Sequence, residues 1–284
     1  MAKSRGIPVG WLFVAVVVVA AFAVAGRSHS SHDTSRRVAL WGDSLAWESQ
    51  GPFTKTLAAA GDTTVLIHTY GGTAPCDWLD DIRTQARRWH PQVAVLSFSG
   101  NTGTSCMRGR DLAKAYRQDV TAAVARLTGA GAQVLLVDAP PRRTDTVNVG
   151  GLTQLDQIWA GIATKEPDTT VVPAGAAVAG PGGVFAAALP CQPGEACGPA
   201  GRVTVRSPDG VHFCPVSVAP MIACPVADLG AARYGRAMAA GVIDVLGPPP
   251  TGSASPSATG SASAASWTPA GAATRVPRAR SSTA

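Results

Sequence analysis

Five short apolar runs, each followed by a stretch with helical spacing, constrain the fold of this chain more than any other feature. The runs lie near Val38–Gly42, Thr63–Thr69, Gln92–Phe98, Gln133–Asp138 and Thr169–Pro173. Helical patterns near Leu45–Ala60, Trp78–Trp89, Asp111–Gly129 and Leu152–Thr164 separate them. A strand that is followed by a helix before the next strand cannot close a tight hairpin, so the strands are expected to pair in parallel, with helices covering the sheet. A last helix is expected near Ala227–Leu246, stopped by Gly247 and three prolines. The expectation is an α/β domain spanning 38–247.

The segments on either side have another character. An uncharged stretch of 18 residues, Val9–Gly26, sits between Lys3 and Arg5 on one side and Arg27 on the other. At ~1.5 Å per residue it covers about 27 Å, close to a hydrocarbon core of ~30 Å, so a signal anchor is feasible. Ala23-Val24-Ala25 also fits a small-x-small cleavage site. Residues 1–37 are therefore read as an export segment, either anchor or signal peptide, with the domain outside the cytoplasm. Beyond Gly247 the chain turns to Pro, Gly, Ser, Ala and Thr without an acidic residue, and 248–284 is expected to be disordered.

The formal charge of +6 lies mainly in these flanks, since 1–37 hold five basic residues and one acid, and 248–284 hold three Arg. The remainder carries 16 basic against 17 acidic residues. That balance does not indicate a nucleic-acid surface. All six cysteines, Cys76, Cys106, Cys191, Cys197, Cys214 and Cys224, follow the apolar stretch, and an even number in an exported chain points to disulfides. Local loops Cys191–Cys197 and Cys214–Cys224 would leave Cys76 for Cys106. No C-x-x-C pair occurs, so no metal site is expected.

Ser44 follows the first strand and opens a helix pattern, at the sheet edge where open α/β folds keep their ligands. Gly42-Asp43-Ser44-Leu45 taken alone is equally explained as a helix cap. Far downstream, Ser207-Pro208-Asp209-Gly210-Val211-His212 places an acid and a histidine three apart. Such a carboxylate can accept from imidazole Nδ1–H and leave Nε2 free to take a serine proton. Two loops after the next strands, Tyr70-Gly71-Gly72-Thr73 and Phe98-Ser99-Gly100-Asn101-Thr102, offer donors to an oxyanion. Asp138 is placed to touch substrate or to cap a loop, and Trp47, Trp78 and Trp159 to line a site or fill core. The Gly-, Ala- and Pro-rich stretch 174–208 is expected to be an irregular, substrate-facing excursion.

These four blocks, in this order across 38–246, resemble the SGNH (GDSL-type) hydrolases. The resemblance implies a flavodoxin-like three-layer α/β/α sandwich and a catalytic triad of Ser44, His212 and Asp209. It also implies an oxyanion hole made by the amides of Ser44 and of Gly71 or Gly72 and by the Asn101 side chain. The third block departs from the family's G-x-N-D: Ser99 takes the glycine place and Thr102 the aspartate place, so support for the asparagine loop must come from elsewhere. No G-x-S-x-G elbow surrounds any serine, which argues against the α/β-hydrolase family.

The function expected is a serine esterase acting on lipid or acylated glycan. An acyltransferase to a sugar is the alternative, and a non-catalytic binding domain a third. A small-molecule or glycan ester is the expected partner, with a membrane if the N-terminal segment is retained. No cofactor, no nucleic acid and a monomeric state complete the expectation. Cys76–Cys106 would tie the two oxyanion loops together and Cys214–Cys224 would hold the histidine loop, or the bridges would simply staple an exported fold.

Overall fold

The computed structural model describes residues 35–247, and the apolar stretch 9–26 and the tail 248–284 lie outside the described residues. The chain folds as β1 (Arg36–Gly42), α1 (Ser44–Ala60), β2 (Thr63–Thr69), α2 (Pro75–Arg88), β3 (Val93–Ser97), α3 (Leu112–Thr128), β4 (Gln133–Val137), α4 (Gln154–Ala163) and β5 (Thr169–Val172). A short ribbon of β6 (Ala188–Pro190) and β7 (Arg202–Thr204) and the helix α5 (Leu229–Leu246) follow. β1–β5 form one parallel sheet in the order β2-β1-β3-β4-β5, the flavodoxin-like arrangement.

Alternation along the strands builds the layers. Val38 and Leu40 of β1 pack with Leu45, Phe53, Tyr234, Met238 and Val242 from α1 and α5. Ala39 and Trp41 face the other way, onto Ile82, Tyr116, Val120 and Trp159 from α2, α3 and α4. Successive side chains on a strand point to opposite faces, so burial at consecutive positions requires a covered sheet on both sides.

The register aligns the strand ends that matter. Gly42 pairs with Thr69 on one side and with Ser97 on the other. The loops after β1, β2 and β3 therefore open together. Strand order reverses between β1 and β3, which creates a crevice at their carboxyl ends.

Three boundaries differ from expectation. β1 starts two residues earlier, at Arg36, and takes in both arginines assigned to the export segment. α2 starts at Pro75 instead of Trp78, with proline in the first turn and Asp77 accepting from the Ala74 amide. The stretch 174–208 is not wholly irregular: it carries the β6–β7 ribbon and buries Ala174, Val178, Leu189, Val203 and Val205 in the α1–α5 core. Its small apolar residues are used for packing.

Candidate active site

At the end of β1, Gly42 leaves no room for a side chain, since a Cβ there would run into Ala46 and the Ser97 carbonyl. Asp43 then makes the turn and caps α1, its Oδ1 accepting from the Leu45 amide at 3.1 Å. Its Oδ2 accepts from the Ser99 amide (2.6 Å), the Ser99 hydroxyl (2.7 Å) and Asn101 Nδ2 (3.0 Å). Burial raises this carboxyl above the usual range, and the Ser99 and Leu45 donors and the Arg142 charge oppose the rise. Asp43 thus caps the helix and also ties the asparagine loop to the serine turn.

Ser44, first residue of α1, has its Oγ 2.9 Å from His212 Nε2. His212 Nδ1 lies 2.7 Å from Asp209 Oδ2. Asp209 Oδ1 accepts from the amides of Val211 (2.7 Å) and His212 (3.0 Å). Burial alone would raise the Asp209 carboxyl, but the His212 imidazole and these amides outweigh it and hold it below the ordinary range. The turn carrying the pair is held at several points. The Ser207 amide donates to the His212 carbonyl (2.7 Å), Arg143 donates to Gly210 and Pro208 carbonyls, and Arg206 Nη2 donates to the Val211 carbonyl at 2.5 Å. Arg206 is only 2% exposed, with its guanidinium over the rings of Phe185 and Phe213.

The two glycines differ in position. A Cβ on Gly71 would lie 3.8 Å from Ser44 Cβ, whereas one on Gly72, at φ 78°, would meet open space. The Gly71 amide donates to the thioether of Met221 at 3.0 Å. Asn101 borders the same cavity, but its Nδ2 donates to Asp43 and to the Thr73 carbonyl (3.1 Å). Those two bonds use both of its amide hydrogens, so donation to an oxyanion would replace the Thr73 contact. The missing aspartate of the third block is replaced by other partners: Asp43, the Tyr116 hydroxyl on the Asn101 carbonyl (2.8 Å) and Arg142 Nη2 on the Ser99 carbonyl (2.5 Å).

The cavity over Ser44 has a volume of about 440 Å³ and is walled by Trp47, Glu48, Gly71, Asn101, His212 and the segment 217–222. That segment was not expected there. Of the stretch 174–208, Ser207 borders the cavity, so the expectation of a substrate-facing excursion is corrected: the facing loop is the next one, closed by Cys214–Cys224. Spacing of those two cysteines was the available signal. Glu48 was also missed, although four residues after Ser44 on a helix lies on the same face. Its Oε2 accepts from the Phe213 amide at 2.8 Å, and burial pushes its carboxyl up to about 7.

The disulfides pair as expected: Cys76–Cys106, Cys191–Cys197 and Cys214–Cys224. Cys76 lies in the first turn of α2, after the glycine loop, and Cys106 in a short 3-10 turn after the asparagine loop. The acid-and-cysteine groups Cys76, Asp77, Cys106 and Cys214, Cys224, Asp228 have their sulfurs in these bridges and offer no thiolate. Trp159 is buried against Tyr116, Trp78 donates to Thr73 Oγ1, and Asp138 caps the following turn by accepting from the Gly175 amide at 2.7 Å. His68 rests on Trp41 with Asp81 at 3.0 Å, away from the Ser44 cavity.

No curated protein matches the chain closely enough to count as a relative. Among solved structures, TesA superposes with a TM-score of 0.50 at 17% identity, covering 74% of this chain and 99% of its own. A protein of Bacteroides fragilis assigned as an acylhydrolase does so with a TM-score of 0.50 at 14% identity, over 75% and 89%. The acetyl xylan esterase AlAXEase has a TM-score of 0.49 at 15% identity, over 73% and 100%. A family model described as a protein of unknown function, DUF459, matches residues 37–226, and the chain belongs to that family, built on the SGNH (GDSL-type) hydrolase fold.

Proposed function

We propose that the protein is a serine ester hydrolase acting outside the cytoplasm on carboxylic esters of lipid or acylated glycan. The observation that carries the reading is the line Asp209 Oδ2, His212 Nδ1, His212 Nε2, Ser44 Oγ, with contacts of 2.7 and 2.9 Å. A proton on Nδ1, shared with Asp209, leaves the Nε2 lone pair facing the serine hydroxyl. As Ser44 Oγ attacks the ester carbonyl carbon, Nε2 takes its proton. The carbonyl oxygen gains charge and settles on the amides of Ser44 and Gly71, with Asn101 beside them. The alcohol then leaves with the proton, and water, activated by the same imidazole, releases the acid.

The Bacteroides fragilis protein that shares the fold is assigned as an acylhydrolase, which supports this reading. Three disulfides fit an oxidising compartment. The N-terminal segment is proposed to deliver the domain there. Among the described residues no helix is long and apolar enough to cross a membrane.

A fluorophosphonate probe should label the wild-type protein at Ser44, and Ser44→Ala should abolish both labelling and nitrophenyl ester hydrolysis. Labelling or hydrolysis that survives the substitution refutes the assignment.

A further inference from the structure

We infer that Met221 is a built-in occupant of the acyl-carbonyl position and the residue that selects which acyl groups the site admits. The inference rests on the esterase reading. The thioether takes the Gly71 amide hydrogen at 3.0 Å, the same hydrogen that an ester oxygen would need. A Cβ built on Gly71 would have Met221 Sδ at 2.8 Å and Ser44 Cβ at 3.8 Å, so thioether, donor and nucleophile meet at one point. The residue lines the cavity described above.

The backbone holds this residue at a conformational cost. The Ile222 amide donates to the Ala219 carbonyl at 3.2 Å, closing a turn with Pro220 second and Met221 third. Met221 has φ 62°. A turn with proline second and a positive φ third ordinarily takes glycine or asparagine there. Methionine in that place accepts steric strain, and such strain persists where the surroundings impose it. The turn lies inside the loop closed by Cys214–Cys224, and Cys214 comes two residues after His212, so the loop is anchored to the segment that carries the base.

The chemistry suits a displaceable occupant. A thioether is a weak acceptor, so a carbonyl oxygen, and still more an oxyanion, outcompetes it for the amide. An unbranched, flexible side chain can turn away without moving the backbone. The acyl group then enters the space the thioether leaves, between Trp47, Val218, Pro220 and Ile222. Bulk at position 221 therefore limits acyl length, and the closed form lowers apparent affinity by the fraction of molecules it occupies.

The test compares wild type with Met221→Gly, which suits positive φ, and Met221→Ala, which meets the same backbone demand as methionine and has no acceptor for the Gly71 amide. It reads the second-order rate of Ser44 labelling by a fluorophosphonate, and kcat/KM for nitrophenyl acetate, butyrate and octanoate. Removing an occupant held by one weak hydrogen bond should speed labelling about fivefold and raise the octanoate-to-acetate ratio. Thermal midpoints identify the variant that has kept its fold, and alanine carries the test if glycine loosens the loop. A folded variant that labels at the wild-type rate or slower, with unchanged chain-length preference, overturns the inference and leaves the esterase reading standing. Absence of Ser44 labelling in wild type as well would instead remove the esterase reading, and this inference with it.

Discussion

Replacing Glu48 by glutamine should change how the stability of this domain depends on pH. Glu48 lies one turn beyond Ser44, with Oε2 on the Phe213 amide. Burial is the largest influence on its carboxyl and raises it to about 7. The Phe213 donor and the His212 imidazole act against that rise, and Asp228 and Asp209 add to it. In the unfolded chain the group behaves as an ordinary glutamate, near 4.5. Between those values the folded protein keeps a proton that the unfolded chain releases. Stability therefore falls as pH rises from about 4.5 to about 7 and is level above that. At ~1.36 kcal/mol for each pH unit the gap sets a ceiling of about 3 kcal/mol, and partial access of water brings the expected cost to about 2 kcal/mol. Glutamine retains a carbonyl to accept from Phe213 and has nothing to ionise. The buried carboxyls of Asp43, Asp138 and Asp156 and the half-buried one of Asp228 are also raised, so the informative quantity is the difference between the two proteins. Urea unfolding with the disulfides intact, in half-unit steps from pH 4 to 8, measures it. Glu48→Gln should gain about 2 kcal/mol on wild type between pH 4.5 and 7, with equal m-values. A difference that stays flat across that interval refutes the buried-carboxyl account.

Two further substitutions probe the scaffold around Ser44. Asp43→Ala removes the acceptor of four hydrogen bonds and orphans the Ser99 amide, so a loss of about 3 kcal/mol is expected in denaturant midpoints; a loss below about 1 kcal/mol would show that Asp43 ties nothing. Replacing Cys76 and Cys106 together by serine reopens a link across 30 residues, worth about 3 to 4 kcal/mol by loop entropy. If the bridge also sets the spacing of the glycine and asparagine loops, kcat should fall at temperatures where the variant remains folded, and wild-type turnover there would reduce the bridge to a staple.

The fold was legible because its periodicity is local. β2 begins and ends where the apolar run Thr63–Thr69 does, bounded by Gly61-Asp62 before it and Tyr70-Gly71 after it. Burial of consecutive residues on β1 follows from its own apolar run, Val38–Gly42. Ser44, Asp209 and His212 were legible as residue types at meaningful spacing, and the structure brings them into one hydrogen-bonded line. What was not legible depends on pairings between distant segments. Asp43 reads as a cap, and its second role exists only because β1 lies beside β3. Met221 sits 150 residues from Gly71, and nothing in its neighbours announces the contact. The small apolar residues of 174–208 look like linker until α1 and α5 supply a core for them.

The two halves of the site meet late in the life of the polypeptide. Ser44 and the glycine and asparagine loops come from the first third of the domain, while His212 is 168 residues beyond Ser44. The histidine turn is joined to α1 by the Phe213 amide donating to Glu48, and α5 packs on the same helix, where Gly235 lets the two approach so closely that a methyl group would strike the Ser49 carbonyl. A chain crossing a membrane from its amino end presents the serine long before the imidazole that would activate it. Until the turn carrying His212 reaches α1, the hydroxyl has no imidazole within reach. On the proposed reading of an exported esterase, the domain would stay silent until that late contact between turn and serine forms.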